Sequence, residues 1–410
     1  MAGFEHPGRL RFGVNYTPSK HWFHSWYDMD LGAARRDLDQ IAALGVDHIR
    51  AFCLWPVFQP NAAFVNPRAV DDLLALVDAA AAAGLDVTVD AIQGHLSSFD
   101  FLPSWAVTWH EANLFTDTRI RAAQAHYLRT LGAALTDRPN VVGYQLGNEL
   151  NNLVARNPAT AEQIDGYLDE LLAAAREALP DRLVTHSAYD AAFYTDGHPF
   201  TPQQSARKGG MTTVHPWVFS ADCARRYGPL SVAATHLAEY LVELAKAYAT
   251  EPARRVWVQE AGAPQPHVPA ADAAAFTDAT IRNVATCADV PAVTWWCSHD
   301  VDPALADFPD LEYTLGLIDT TGRTKPAGRA IADLIREYSA DPPPPVRRDT
   351  ALVFDGGGLD SRSASAPGGS FFDAWMAHAA AGERLAVVLA RDADDTGLLT
   401  ARGVTTLIRP

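Results

Sequence analysis

From Leu10 to about Tyr338, short runs of β-branched and other apolar residues alternate with longer alanine- and leucine-rich stretches whose apolar positions recur at helical spacing. This alternation predicts repeated βα units around a parallel sheet. It places strands at Leu10–Tyr16, Val46–Phe52, Leu85–Ala91, Val141–Gly147, Leu183–Ser187, Met211–His215, Arg255–Glu260 and Ala292–Cys297. Helices are expected at Ala33–Leu44, Val70–Ala83, Thr118–Leu135, Ala161–Leu179, Val232–Ala249, Ala271–Cys287 and Pro326–Tyr338. Gly45 and Gly84 punctuate the ends of the first two helices and Pro139 follows the third. Eight strands in this order, within residues 1–340, predict an α/β fold, a closed (β/α)8 TIM barrel.

Compact βα units use connections of only a few residues, so two long ones stand out. Gln93 to Phe115 carries His95, Phe99, Phe101, Trp105 and Trp109, and Tyr189 to Gly210 carries Tyr194, His198 and Phe200. A third aromatic cluster, His21 to Tyr27, follows the first strand and suits either a binding-site wall or a contact within a homo-oligomer. Pro342 to Pro345 mark a stiff linker at residues 341–348. Beyond it, residues 349–410 read as strand, glycine-serine loop, helix, strand, short helix and strand. This small C-terminal α/β segment is too short to be very stable alone and is expected to pack on the barrel. Gly356 to Gly358 lacks the spacing of a phosphate-binding loop and reads as a flexible turn.

Composition narrows the partners. With 48% hydrophobic and 20% charged residues among 410, the chain is an ordinary globular one. A formal net charge of -16 argues against nucleic acid or an anionic membrane surface, both of which reward clustered Lys and Arg. A neutral ligand is expected. Cys53, Cys223, Cys287 and Cys297 show no CxxC spacing and read as free buried thiols. Glu5, His6, Pro7 and Arg9 break any apolar secretory core, so a cytoplasmic location is expected and the Asn15-Tyr16-Thr17 sequon goes unused. Asp71, Asp72 and Asp78 interrupt the alanine-rich stretch Ala69 to Leu85, which is too polar to cross a bilayer.

In such barrels chemistry sits where the strands end in loops. Three predicted ends are polar in a way that burial alone does not favour: Gly147-Asn148-Glu149, Val214-His215-Pro216-Trp217 and Val258-Gln259-Glu260. Cleaving a glycosidic bond with retention takes two carboxyl groups roughly 5 to 5.5 Å apart, one donating a proton and one attacking the anomeric carbon. Glu149 and Glu260, ending the fourth and seventh strands, supply such a pair across one mouth. A lone glutamate there is more simply a solvated strand end or helix cap; two in the right order, one preceded by Asn148, favour catalysis. No metal or organic cofactor is called for, and no His-x-His occurs.

Here the chain from about Phe12 to Tyr338 resembles the retaining hydrolases of clan A, especially glycoside hydrolase family 5, with Asn-Glu after strand four and Glu after strand seven. The resemblance implies that Glu149 is the acid/base, Glu260 the nucleophile, and Asn148 the partner of the sugar 2-hydroxyl. It implies that Arg50 stabilises the nucleophile, that Trp296 floors the innermost subsite, and that His95 and His215 are the histidines after strands three and six. Where the family has a tyrosine touching the nucleophile, this chain has Trp217, another substrate-binding candidate; Tyr189 or Tyr194 is the expected substitute for that contact. Gly13-Val14-Asn15-Tyr16, Trp22-Phe23-His24-Ser25-Trp26 and Leu54-Trp55-Pro56-Val57-Phe58-Gln59-Pro60 resemble a branch of intracellular exo-β-mannosidases acting on the β-mannosyl-N-acetylglucosamine core of N-glycans. That branch implies release of terminal β-linked mannose from a small oligosaccharide, with Trp26 and Trp55 among the substrate-binding aromatics.

A β-glucosidase, an endo-acting mannanase or cellulase of the same clan, a metal-dependent barrel hydrolase and a non-catalytic sugar-binding barrel remain as alternatives. Of the adjacent Trp295 and Trp296, strand alternation turns one toward the barrel interior and the other toward the helices.

Overall fold

The eight apolar runs form strands β1 Arg11–Asn15, β2 His48–Leu54, β3 Asp86–Gln93, β4 Val141–Gln145, β5 Leu183–Thr185, β6 Thr212–Val214, β7 Val256–Val258 and β8 Ala292–Trp295. Nearly every strand residue is buried, as expected of a parallel sheet covered on both faces. A computed structural model of the chain describes Phe4 and residues 9–107, 112–306 and 308–410; Glu5, His6, Pro7 and Trp109 lie outside the described residues. The strands pair in parallel in the order β5-β4-β3-β2-β1-β8-β7-β6. Between β5 and β6 the ring is joined by Gly210 N–H donating to the Val184 carbonyl (2.8 Å) and Thr185 Oγ1 to the Met211 carbonyl (2.9 Å). The result is a (β/α)8 TIM barrel.

Its floor needs Gly13, because a Cβ there would stand 2.2 Å from the His48 imidazole, which is fixed by Thr294 Oγ1 at 2.8 Å. The outer ring comprises α1 Leu31–Ala43, α2 Pro67–Ala82, α3 Thr118–Leu135, α4 Ala161–Ala178, α5 Leu237–Ala247, α6 Ala273–Ala285 and α7 Pro326–Ala340. The single helix expected at Val232–Ala249 is two: Val232–Thr235 precedes α5, with the break at His236. There the Thr235 carbonyl accepts from Asn283 Nδ2 on α6 (3.0 Å), and His236 Nδ1 lies 2.7 Å from Glu239 at the start of α5.

After the proline linker, β9 Thr350–Phe354, β10 Ala386–Leu389 and β11 Thr406–Ile408 form a parallel sheet in the order β10-β9-β11, with α8 Ser370–Ala380 beside it. The segment packs on the barrel. Tyr240 of α5 meets Phe372 and Trp375 edge-on (5.1 and 5.3 Å), and its hydroxyl donates to the Ser365 carbonyl at 2.8 Å. Arg362, 1% exposed, donates to the carbonyls of Ala192 (2.7 Å), His198 (2.7 Å) and Phe200 (3.0 Å), tying down the long connection after β5. All four cysteines are free and buried. Among the described residues no helix is long and apolar enough to cross a membrane.

Candidate active site

β4 ends at Gln145, and the chain passes through Gly147-Asn148-Glu149 into a helical turn at Leu150–Ala155. Gly147 is required there: a Cβ would lie 2.2 Å from the Ile92 carbonyl oxygen. Glu149 itself adopts a left-handed conformation (φ 45°, ψ 46°), which costs a non-glycine residue on the order of 1 kcal/mol or more. Its N–H donates to Ser187 Oγ at 3.0 Å, just beyond β5, and so holds the strained turn.

The carboxyl this turn presents is held from two sides. Glu149 Oε1 lies 2.7 Å from His215 Nδ1, and Oε2 accepts from Asn152 Nδ2 at 3.0 Å. Glu260, just past β7, accepts from Arg50 Nη1 on Oε1 (2.8 Å) and from the Trp217 indole N–H on Oε2 (3.2 Å). Acceptor atoms of Glu149, His215 and Glu260 lie within 4.8 Å of one another. Arg50, fully buried at the base of the mouth, also binds both oxygens of Asp90 (3.1 and 2.6 Å) and the amide oxygens of Asn15 (3.0 Å) and Asn148 (2.5 Å).

Burial penalises every charge here, so the partners decide the protonation. Burial alone lowers the Arg50 guanidinium, yet Asp90 and Glu260 leave it raised and charged. Burial pushes Asp90 up in spite of Arg50. His215 is raised because the carboxylates of Glu260 and Glu149 outweigh its burial. Burial opposes charge on Glu149, but the hydrogen bond to His215 and its charge bring that carboxyl below the ordinary range. Burial, with repulsion from Glu149, holds Glu260 above the ordinary range although His215 and Arg50 pull the other way. Donors that cannot accept in return occupy both oxygens of Glu260, an environment built for a carboxylate. His215 Nε2 faces the Gln259 amide oxygen at 3.1 Å, an acceptor, so that nitrogen carries a proton. A further proton is then shared across the 2.7 Å Glu149–His215 contact.

Above these groups opens a pocket of about 220 Å³ lined by His95, Asn148, Glu149, Trp217, Glu260 and Trp296 among others. This lies under the roughly 300 to 1,000 Å³ of common ligand sites and suits a small ligand. His95 is fixed by Asp100 (2.8 Å) across a short ribbon. Trp296 faces the pocket whereas Trp295 is in the main core, as strand alternation requires.

Two expectations need correction. Trp26 and Trp55 do not line the pocket: both are buried in the main core, where Trp26 Nε1 donates to the Phe52 carbonyl (2.7 Å) and Trp55 Nε1 to Gln59 Oε1 (2.8 Å). Each indole has a partner inside the protein and meets Phe58 or Trp105 edge-on, and at 5% and 0% exposure Trp26 and Trp55 leave no room for a ligand. Nor, among the described residues, does a tyrosine hydrogen-bond Glu260. Trp217 makes that bond itself, Tyr189 donates to or accepts from Ser220 Oγ (2.6 Å), and Tyr194 lies in the main core. Trp22 and Phe23 are buried behind the pocket rather than in its wall.

Sequence reading missed Asp90, Asn152 and Glu312. Asp90 had a usable signal, a lone acid inside the apolar run Val87-Thr88-Val89-Asp90-Ala91. Asn152 and Glu312 sit in short helical turns with no local signature and reach the pocket only through the fold.

The chain matches the family model Cellulase (glycosyl hydrolase family 5) over residues 11–299. Among solved structures, a glutamate-to-alanine variant of GH5_18 from Streptomyces cattleya in complex with Manβ1-4GlcNAc is 55% identical, with a TM-score of 0.95 over 98% of this chain and 99% of that one. Another glutamate-to-alanine variant, of GH5_18 from Bifidobacterium longum subsp. longum ATCC 55813 and also in complex with Manβ1-4GlcNAc, is 42% identical, with a TM-score of 0.94 over 98% and 96%. The exo-β-1,4-mannosidase Op5Man5 from Opitutaceae bacterium strain TAV5 is 23% identical at a TM-score of 0.76 over 94% and 72%, a likeness of fold. No curated protein matches. With its barrel, its paired glutamates and a family match across most of its length, the chain is a glycoside hydrolase and belongs to glycosyl hydrolase family 5.

Proposed function

We propose that the enzyme releases the terminal mannose of Manβ1-4GlcNAc with retention of configuration, Glu260 acting as nucleophile and Glu149 as acid/base. The observation that carries the reading is the approach of the two carboxyl groups, within 4.8 Å oxygen to oxygen across a small pocket. Retention needs a gap of about 5 to 5.5 Å, whereas inversion needs roughly 6.5 to 9.5 Å to admit a water. The disaccharide is supported by the GH5_18 structures that hold it, at 55% and 42% identity.

Glu260 attacks the anomeric carbon as the C1–O bond breaks, and the proton shared by Glu149 and His215 passes through Glu149 to the leaving oxygen. Esterification removes the charge on Glu260. Glu149 then takes a proton from water, whose oxygen attacks C1 from the face that the aglycone left, opposite Glu260, and frees Glu260 as its bond to C1 breaks. Arg50 occupies one Asn148 lone pair, which turns that amide's N–H groups toward the ligand and suits them to the sugar 2-hydroxyl. The apolar Trp296 face suits a pyranose ring.

The test is hydrolysis of Manβ1-4GlcNAc and of nitrophenyl β-mannoside, β-glucoside and β-galactoside, with the first-formed anomer followed by NMR. β-Mannose released first from the disaccharide is the expected result. α-Mannose first, or faster cleavage of the glucoside or of polymeric mannan or cellulose, overturns it.

A further inference from the structure

A third carboxyl lines the pocket and takes no part in the displacement. Glu312 lies on the helical turn Asp310–Thr314, in the long connection after β8, and is 8% exposed. Oε2 accepts from Ser97 Oγ at 3.1 Å, and the Trp296 side chain is a second hydrogen-bond partner. The Ser97 contact is made by a strained turn. Ser97 and Ser98 both adopt left-handed backbone (φ 50° and 72°) to close the two-residue loop between His95–Leu96 and Phe99–Asp100. Asparagine and glycine are the residues usually found there, so two serines in this conformation are held by their surroundings.

The position of Glu312 follows from the chemistry assigned above. An acid/base must stand beside the leaving oxygen, so the aglycone lies near Glu149, where Asn152, Tyr189 and Phe219 line the pocket. The non-reducing end of the glycone then points the opposite way, toward the connections after β3 and β8. That end is blind. Behind it Trp22 and Phe99 pack edge-on against Phe308 (4.7 and 5.0 Å), and Leu311 and Leu315 flank Glu312.

We infer that Glu312, clasped by Ser97 and Trp296, is a specificity-determining residue that accepts hydrogen bonds from hydroxyls at the non-reducing end of the glycone. A hydroxyl carrying a further sugar has no proton to give, so the contact favours cleavage of terminal residues. Burial pushes the Glu312 carboxyl up to about 7, with Ser97 opposing and Glu260 reinforcing the shift; a hydroxyl donor supplies stabilisation that its surroundings lack. The inference rests on the assignment of Glu149 and Glu260 above.

The experiment compares wild type, Glu312→Ala and Glu312→Gln on nitrophenyl β-mannoside and its 3-, 4- and 6-deoxy analogues. In wild type at least one deoxy analogue loses about 10- to 150-fold in kcat/KM, the worth of a hydrogen bond to a charged group. In Glu312→Ala the parent slows comparably and the penalty against that analogue disappears, because the hydroxyl has lost its partner. Glu312→Gln, which keeps the volume and one acceptor, shows a reduced penalty and carries the test if the alanine variant does not fold. Undiminished penalties against all three analogues in an active variant overturn the Glu312 inference alone. Absence of β-mannoside turnover by wild type overturns the catalytic reading, and this one with it.

Discussion

Replacing Trp217 with phenylalanine removes one hydrogen bond while leaving an aromatic ring against Phe219, to which Trp217 is stacked at 5.0 Å and 19°. The bond lost is the indole N–H to Glu260 Oε2 at 3.2 Å. Hydrogen bonds to charged groups are worth about 1.5 to 3 kcal/mol. At about 1.4 kcal/mol per tenfold, kcat/KM falls on the order of 10- to 150-fold. The sign of the pH effect follows from which form the donor favours. An N–H stabilises the carboxylate, so without it the Glu260 carboxyl, already held high by burial and Glu149, rises further. The acid limb of the kcat/KM profile therefore moves to higher pH, and the deficit is largest at low pH. Steady-state rates on nitrophenyl β-mannoside across the acid and neutral range measure this, and Trp217→Tyr, whose hydroxyl can reach for the same oxygen, recovers part of the loss. An acid limb that coincides with that of wild type, in a folded Trp217→Phe enzyme of near-wild-type rate, refutes the role given to this bond.

Glu149→Ala should lose about 10²- to 10⁴-fold on the disaccharide, whose leaving oxygen needs a proton, and far less in the first step with nitrophenolate, which does not; azide then restores turnover and yields β-mannosyl azide, detectable by mass spectrometry. Arg362→Ala leaves the carbonyls of Ala192, His198 and Phe200 without their donor, and each such buried group costs about 1 to 3 kcal/mol, read by chemical denaturation. Because that connection also carries Tyr189 into the pocket, KM for the disaccharide should rise more than KM for the aryl mannoside. Activity should survive exhaustive treatment with a strong chelator, since Arg50, Trp217 and Asn152 already occupy oxygens of Glu260 and Glu149; loss of activity restored by a divalent cation would point to a metal on Glu149, His215 and Glu260 instead.

Strand and helix periodicity, with glycine at helix ends, carried the barrel in the sequence, because those signals depend on neighbours a few residues apart. The eight expected strands all appear, each within a few residues of its reading. Once strand ends are known, barrel architecture makes them converge, which is why Asn148, Glu149, His215 and Glu260 were legible from distant stretches of chain. Local pattern says which residues are aromatic but not which way each ring turns. Trp26 and Trp55 look like pocket residues in sequence, and only packing shows their N–H groups satisfied internally. The same limit hid Trp217 as the donor to Glu260 and Glu312 as a pocket carboxyl, for both depend on contacts between connections that share no periodicity. What the sequence by itself determined was the frame and the ends of its strands, set by short-range alternation of apolar and polar residues. What only the tertiary structure decided was how side chains from separate loops orient into one site, because that orientation is fixed by packing and hydrogen bonds between residues far apart in the chain.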